Sequence, residues 1–265
     1  GFDQNAFMPS YGMAESTLAV SFSDVSQPIR IDTIDKFTFK LSGRAVPALE
    51  TQDKDAVRSF VVCGKPLPGH EVVVRDEMGS ILRDRAIGHI FVKGPSLMSG
   101  YYHNVQATDA VIAADGFLAT GDMGYMLDGE IVITGRAKDL ILHNGRNIWP
   151  QDIEWAAEQV EPLKSGDVAA FAVEGDDGDD DVVVLVQCRV TTEAGIEKLR
   201  REVSAVVHHS AGVECAVVLV PPKSLPFTSS GKLSRAGAKQ KYVSGELVEI
   251  TQRAPQAAEF LAAAQ

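Results

Sequence analysis

The sequence lacks three features that would place it in common functional classes. It has no excess of positive charge, because 36 acidic residues against 25 Lys and Arg leave a net charge of −11. It has no apolar run near the ~20 residues that a membrane span needs, and no charged and apolar leader. A chain of this charge has no global field that would hold nucleic acid or an anionic membrane surface. We therefore expect no nucleic-acid partner and no membrane span.

Paired cysteines are also absent. Cys63, Cys188 and Cys215 are odd in number, far apart and flanked by apolar residues. Such spacing fits neither a disulfide framework nor a cysteine-based metal site. It predicts reduced, buried thiols in a cytoplasmic protein.

The chain is long and apolar enough for two domains, with 265 residues of which 45% are hydrophobic. Residues 60–135 are rich in glycine and short β-branched runs, which predicts two strands paired around a Pro/Gly turn in 60–75 and further strands at 88–93 and 130–134. After residue 150, alternating patterns predict a compact mixed α+β unit. Its expected elements are helices at 152–160 and 193–209 and strands at 168–173, 182–190 and 214–220.

Two segments are harder to interpret. Residues 29–40 alternate like an exposed strand and 49–58 are polar and helical at best, so we interpret about 20–59 as an insertion or edge element. The five aspartates of 174–181 could suggest a calcium loop, but they lack that motif's ligand spacing and terminal glutamate. A solvated hairpin tip is the favoured alternative.

Three short motifs carry groups suited to a nucleotide or an anion. Tyr-Gly-Met-Ala-Glu at 11–15 offers a ring that can stack on a base and a carboxylate that can hold Mg²⁺. Taken singly, the motif favours a helix start with a packed tyrosine. Thr-Gly-Asp at 120–122 places a carboxylate at a predicted strand end, where it could accept from two ribose hydroxyls or simply form a β-turn. Lys232 lies on a Ser/Gly turn that favours either a mobile cation or an ordinary surface loop.

The order of the motifs along the chain is more informative than any one of them. Along the chain stand Tyr-Gly-Met-Ala-Glu, Gly-Tyr-Tyr at 100–102, Thr-Gly-Asp, Gly-Arg-Ala-Lys-Asp at 135–139, Pro-Gln-Asp-Ile-Glu at 150–154 and Thr-Ser-Ser-Gly-Lys at 228–232. In this order they resemble the adenylate-forming superfamily of acyl- and aryl-CoA synthetases, peptide-synthetase adenylation domains and luciferases. The resemblance covers nearly the whole chain. It implies a mixed α/β fold in which residues 1–135 end the large AMP-binding domain and 136–265 form a small C-terminal lid domain.

The resemblance implies a role for individual residues that bind ATP. Tyr11 would stack on adenine, and Gly12 and Met13 would line the nucleotide or acyl pocket. Asp122 would accept from both ribose hydroxyls, and Arg136 would add a donor on the ribose side.

It also implies the residues of the chemical step. Lys232 would be the catalytic lysine that bridges the acyl carboxylate and the α-phosphate. Glu15 would hold Mg²⁺ on the phosphates. Lys138 would be the hinge about which the small domain rotates, carrying Lys232 away after the first half-reaction.

Within the superfamily the chain most resembles the fatty acyl-AMP ligases. Ala14 replaces the usual threonine of the first motif, and Gly-Arg-Asn-Ile-Trp-Pro-Gln-Asp-Ile-Glu at 145–154 is similar to their form. Roughly fifty residues separate Glu15 from the Pro/Gly turn at 64–69, which matches an insertion thought to disfavour CoA as the acceptor in these ligases. The expected partners are a fatty acid and an acyl carrier protein of a polyketide or peptide synthase.

The resemblance also has consequences for this chain on its own. The family's phosphate loop has no counterpart here, so we expect a missing N-terminal part of the same enzyme and little or no turnover by residues 1–265 alone. The alternatives are an acyl-CoA synthetase, a peptide-synthetase adenylation domain and a non-catalytic module that binds a carrier protein. Retention of Glu15, Asp122, Arg136 and Lys232 together argues against the last.

Overall fold

The computed structural model describes residues 3, 6–143, 146–175, 180–228 and 231–250. The chain divides into two compact units, Gly1–Lys138 and Asp139–Gln265. The join expected between residues 135 and 136 lies just before this division. Each unit combines strands with helices, and the mixed α/β class predicted from the sequence is confirmed.

The first unit is built mainly of antiparallel strands. Its helices and strands are β1 (Ser10–Tyr11), β2 (Ser21–Phe22), β3 (Ile31–Asp35), α1 (Lys36–Ser42), β4 (Val57–Val61), β5 (Lys65–Pro66), β6 (Glu71–Arg75), β7 (Gly88–Lys93), α2 (Val105–Val111), β8 (Leu118–Leu127) and β9 (Glu130–Arg136). Strands β6, β7, β8 and β9 form an antiparallel meander, β1, β2 and β5 a second sheet, and β3 and β4 a third.

The meander buries one face of each strand, as its alternating sequence requires. Val72 and Val74 of β6 lie beside Ile90 and Val92 of β7 in an apolar cluster that also includes Tyr11. The predicted strands at 88–93 and 130–134 are confirmed. The pairing predicted within 60–75 is wrong.

The two apolar runs of 60–75 belong to different sheets. Strand β4 pairs with β3, and β6 pairs with β7. Between them, β5 pairs with β2, and a Cβ at Gly64 would lie 2.0 Å from the carbonyl oxygen of Phe22. This close backbone approach draws the Pro/Gly segment to another strand, so it cannot close a hairpin.

The segment at 20–59 folds as β3, α1 and β4 against the meander. The strand predicted over 29–40 is correct only as far as Asp35, whose side chain accepts a 2.6 Å hydrogen bond from the Thr38 amide and caps α1. The helix ends at Gly43, which has φ 62°. The helix expected at best over 49–58 is reduced to a 3₁₀ turn at Lys54–Ala56, followed by β4.

The second unit contains a three-stranded sheet with helices on both faces. Its elements are β10 (Ile141–His143), β11 (Arg146–Ile148), α3 (Pro150–Ala157), β12 (Val168–Glu174), β13 (Asp180–Gln187), α4 (Glu193–Ala211), β14 (Ala216–Val220) and α5 (Arg235–Val243). Strand β13 pairs antiparallel with β12 and parallel with β14, and α4 provides the crossover.

The continuous apolar runs of these strands follow from burial on both faces. Along β13, Val182, Val184 and Val186 face the cluster that contains α4, whereas Val183 and Leu185 face the cluster that contains Ala238 of α5. The predicted helices and strands of this unit are confirmed, with ends shifted by a few residues.

Three further expectations concern single features. The acidic segment joins β12 to β13, with Glu174 paired to Asp180, but residues 176–179 lie outside the described residues. Cys188 is buried, Cys63 and Cys215 are partly buried, and all three are free thiols. Within the described ranges, no helix has the length and apolarity of a membrane span.

Candidate functional site

Asp122 lies in the middle of β8, not at a strand end as predicted. Gly121 before it has φ 75°, and the pairing of β8 with β9 shifts register just after it. The Thr120 hydroxyl accepts a 3.0 Å hydrogen bond from the Asp122 amide and donates a 2.9 Å hydrogen bond to the Ile90 carbonyl. Irregularities of this kind redirect a side chain within a strand, and here they fix the direction of a carboxylate.

Asp122 is held between a tyrosine and an arginine. The Tyr11 hydroxyl donates to Oδ2 at 2.6 Å, and Arg136 Nε donates to Oδ1 at 3.1 Å. The arginine contact follows from the β8–β9 register, which places Asp122 opposite Arg136. The Asp122 side chain is 15% exposed, and each of its oxygens retains a further acceptor direction.

Tyr11 is the most enclosed member of this cluster. Its side chain packs with Val20 and Val72, as the packed-tyrosine alternative predicts, although it lies in a short strand and not at a helix start. Burial raises the pKa of Tyr11, and the negative charge of Asp122 raises it further. The phenol therefore stays protonated and donates. Its contact with an adenine base stays a prediction.

The backbone after Tyr11 forms a tight turn that leads to Glu15. A Cβ at Gly12 would lie 1.7 Å from the carbonyl oxygen of Leu18, so only glycine fits. The Leu18 amide closes the turn on the Met13 carbonyl at 3.1 Å, and Met13 packs beside the apolar cluster of the meander. Glu15 is carried on the 3₁₀ turn Ala14–Ser16 within this loop.

Glu15 is fixed by residues that precede α2. The Tyr101 hydroxyl donates a 2.8 Å hydrogen bond to the Glu15 carboxylate, and the Glu15 backbone carbonyl accepts a 2.7 Å hydrogen bond from the Met98 amide. The hydrogen bond to the carboxylate raises the pKa of Tyr101. Among the described residues, no group of three or more His, Cys, Asp or Glu could hold a metal ion. Glu15 is thus a single carboxylate with a fixed orientation.

A hydrogen-bonded chain lies behind the Glu15 turn. The Ser96 hydroxyl is 2.9 Å from that of Ser16 and 2.7 Å from His70 Nε2. Gly94 makes room for the histidine, since a Cβ there would lie 2.3 Å from the ring. These contacts join the turn to the meander.

The two predicted lysines lie on exposed turns. Lys138 belongs to the 3₁₀ turn Ala137–Asp139 and is the last residue of the first unit. Lys232 lies in the second unit, where its amide donates to the Thr228 hydroxyl at 3.1 Å and its carbonyl accepts the Thr228 amide at 2.8 Å. Residues 229 and 230 of its motif lie outside the described residues.

Comparison with known proteins shows what the chain is similar to. Residues 2–102 match the family model described as AMP-binding enzyme. A putative acyl-CoA synthetase of Caulobacter vibrioides is 49% identical over 246 residues, which cover 92% of this chain and 42% of that protein. The chain is thus similar to enzymes of the adenylate-forming superfamily. The medium-chain-fatty-acid–[acyl-carrier-protein] ligase JamA of Moorena producens is 33% identical, with 93% of this chain and 43% of JamA aligned.

A solved structure shows the same similarity. It comes from structural and functional studies of fatty acyl-adenylate ligases from E. coli and L. pneumophila, with a TM-score of 0.83 and 44% identity. The alignment covers 93% of this chain and 43% of that one. The chain therefore spans less than half the length of the relatives it matches.

Several contacts of this candidate site were not predicted from the sequence. Tyr101 belongs to the Gly-Tyr-Tyr motif, and Thr120 to Thr-Gly-Asp, so the motifs marked their positions without their roles. His70 and Ser96 belong to no predicted motif. They lie 26 residues apart and meet only because β6 and β7 pair.

Proposed function

We propose that this chain is part of a fatty acyl-AMP ligase, which activates a fatty acid with ATP and passes the acyl group to an acyl carrier protein. Similarity to AMP-binding enzymes and to fatty acyl-adenylate ligases supports ATP-dependent ligation as the general activity. The observation that carries the proposal is the Asp122 carboxylate, fixed between Tyr11 and Arg136 with one acceptor direction left on each oxygen.

In the proposed site, Asp122 accepts hydrogen bonds from the two ribose hydroxyls. A vicinal diol matches a carboxylate because its two donors are spaced like the two carboxylate oxygens. A ligand without the diol binds more weakly, because the partly buried carboxylate then lacks its hydrogen-bond donors. Arg136 donates on the ribose side. Tyr11 contributes the base contact, and Gly12 and Met13 line the adjoining backbone.

Glu15 fits the task of holding Mg²⁺ on the triphosphate. Mg²⁺ prefers oxygen ligands and is commonly held by one or two carboxylates together with substrate phosphates. A single carboxylate oriented by Tyr101 meets that requirement. When bound, the ion would offset negative charge on the phosphates.

The first half-reaction is nucleophilic attack at phosphorus. A carboxylate oxygen of the fatty acid forms a bond to the α-phosphorus, the bond from that phosphorus to the oxygen bridging to the β-phosphate breaks, and pyrophosphate leaves. Two anions must approach each other, so a cation that contacts both lowers the barrier. Lys232 supplies that cation in the proposed mechanism, and rotation about Lys138 withdraws it afterwards.

The second half-reaction is acyl transfer. The carrier thiol releases its proton to solvent, and its sulfur forms a bond to the acyl carbon. The bond from that carbon to the phosphate oxygen of AMP breaks, and AMP leaves with the bonding electrons. The acyl-carrier-protein ligase named among the relatives supports this acceptor. The 20–59 segment supports the same acceptor, because it resembles the insertion of fatty acyl-AMP ligases. Asp32 anchors this segment by accepting a 2.6 Å hydrogen bond from Tyr125 and pairing with both terminal nitrogens of Arg85.

The alternative is an acyl-CoA synthetase, which the Caulobacter relative's name favours. The test uses the longer protein that contains these residues. Pyrophosphate exchange is measured with fatty acids of increasing length, and thioester formation is then compared for CoA and a holo carrier protein. Fatty-acid-dependent exchange with transfer to the carrier supports the proposal. Transfer to CoA alone, or exchange with amino acids only, rejects it.

Deletion of residues 26–58 provides a second test of the acceptor. The deletion also removes Asp32, so Tyr125→Phe and Arg85→Met should accompany it to avoid buried groups without partners. The same two substitutions in the undeleted protein are the control. Gain of CoA transfer only in the deleted protein supports a role of the segment in acceptor choice, and its absence counts against that role.

A further inference from the structure

Arg235 occupies an unusual position for a cation. It is the first residue of α5, three residues after Lys232, and Ser234 before it caps the helix by accepting the Gly237 amide. A positive charge in the first turn opposes the helix dipole, so this arginine must gain its stability from specific partners. The structure supplies two of them, both within the second unit.

The guanidinium of Arg235 joins two carboxylates. Nε and Nη2 donate to the two oxygens of Glu154, each at 2.7 Å, and Nη1 donates to Asp139 at 3.0 Å. The side chains are 20% exposed for Arg235, 7% for Glu154 and 13% for Asp139. Burial disfavours the charged form, but hydrogen bonds to Glu154 and the charge of both carboxylates raise the pKa of Arg235.

Each partner belongs to a different element. Asp139 is the first residue of the second unit and follows Lys138 directly. Glu154 lies on α3 and also accepts the Ala170 amide of β12 at 3.1 Å. Only a planar fork of donors reaches both carboxylates at once, because the ammonium of a lysine is a single point charge.

The turn that carries Lys232 continues directly into Arg235. Phe227 and Leu233 form an isolated antiparallel bridge, and the Ser234 amide donates to the Pro226 carbonyl at 3.0 Å. The Lys232 backbone is closed on Thr228 within this bridge. The position of the turn therefore depends on where α5 begins, which Arg235 sets.

We propose that Arg235 is a positioning residue, which ties the turn carrying Lys232 to Asp139, so that movement at Lys138 is transmitted to the lysine. This inference rests on the proposed function. It assigns Arg235 no contact with substrate. Without the tether, Lys232 reaches the reacting carboxylate and phosphate in fewer molecules, and adenylation slows.

The test separates the half-reactions in the longer protein. Asp139→Asn weakens the contact between Arg235 and Asp139, which we call the tether, and leaves Arg235 paired with Glu154. Arg235→Gln removes the ion pairs with both carboxylates. We expect adenylation to fall about tenfold in the first variant and about 10²-fold in the second, since small misplacements of reacting groups have effects of this size. Transfer from supplied acyl-adenylate, which does not use Lys232, should stay within about twofold.

Arg189→Gln is the matched control. Arg189 forms a two-point pair with the buried Asp167 in the same unit and contacts neither Asp139 nor Glu154 in the described hydrogen bonds. It should affect both half-reactions equally and weakly. Equal loss of both half-reactions in the Arg235 and Asp139 variants, or unchanged adenylation, would overturn the proposal.

Hydrogen exchange tests the tether independently of activity. The Lys232 and Ser234 amides should exchange faster in Asp139→Asn than in the wild type or Arg189→Gln. Unchanged exchange rejects the tether even if the ligase activity is present. Faster exchange in a protein with no fatty-acid-dependent activity supports the tether and rejects the proposed function. If Arg235→Gln does not fold, Asp139→Asn and Arg235→Lys decide the outcome by the same comparison.

Discussion

The Tyr11 hydroxyl and the Asp122 carboxylate, 111 residues apart in sequence, meet in a 2.6 Å hydrogen bond. The contact joins the first and third motifs of the adenylate-forming pattern. Because Tyr11 has a raised pKa and remains a donor, its hydroxyl holds Oδ2 of Asp122 in place without a ligand. Mutation of each residue can therefore distinguish two contributions to the proposed nucleotide binding.

Asp122→Asn should weaken ATP binding about tenfold or more in the longer protein. The substitution removes the charge paired with Arg136 and one acceptor for the proposed ribose contact, a loss of about 1.4 kcal/mol or more. Tyr11→Phe removes only the orienting donor and should weaken binding severalfold at most. Calorimetric titration with ATP measures both. Unchanged affinity in Asp122→Asn would contradict the ribose assignment.

Lys232→Ala should reduce acyl-adenylate formation by several powers of ten and leave ATP affinity nearly unchanged. The lysine is proposed to act where charge develops in the transition state, whereas the proposed nucleotide contacts lie in the other unit. Pyrophosphate exchange and equilibrium ATP binding measure the two effects. Lys239→Ala, an exposed lysine of α5, is the control and should behave as wild type. Wild-type exchange by Lys232→Ala would exclude its catalytic role.

Asp32→Ala should destabilise the first unit by about 3–5 kcal/mol. The change leaves Arg85 and the Tyr125 hydroxyl without their shared buried acceptor. Tyr125→Phe removes one donor and should cost about 1–2 kcal/mol. Hydrogen exchange of the first-unit amides in increasing denaturant measures both, since Trp149 and Trp155 lie in the second unit and fluorescence would report on that unit. Asp128→Ala, which breaks the exposed pair with Arg30, should change stability little; a comparable loss there would show that burial is not the cause.

Alkylation of Cys215 should be slow at neutral pH and rise steeply in alkaline solution. Burial, with a smaller effect of the Glu214 charge, raises the pKa of Cys215 to about 11. The reactive species is the thiolate, so the rate should increase about tenfold per pH unit until the pH reaches that value. Mass spectrometry after iodoacetamide pulses measures the rate. Rapid reaction at pH 8 in folded protein, equal to that in urea, would contradict the shift.

Local patterns predicted much of the regular structure. Helix α4 follows from the spacing of Ile196, Leu199, Val203 and Val207, all of which are buried. Strands β12, β13 and β14 follow from uninterrupted apolar runs. In both cases the residues that define the pattern also form the core, so the local signal and the tertiary packing agree.

The failures occur where packing from distant residues decides the outcome. Residues 36–40 alternate like a strand, yet the Asp35 cap begins α1 there. The Asx cap was a local signal that could have indicated the helix start. The pairing partners of β4, β5 and β6 had no local signal, since β-strand register depends on residues far away in sequence.

Short motifs and hydrophobic periodicity are local properties, so the sequence alone was enough to predict the mixed α/β class, the resemblance to adenylate-forming enzymes and the candidate site positions. The tertiary structure alone decided that Asp122 stands in an irregular strand between Tyr11 and Arg136, that Tyr101 holds Glu15, and that Arg235 joins Glu154 to Asp139. These contacts depend on strand register and on helix ends meeting across the fold. A hydrogen bond between residues eighty or more positions apart leaves no periodic trace in the sequence.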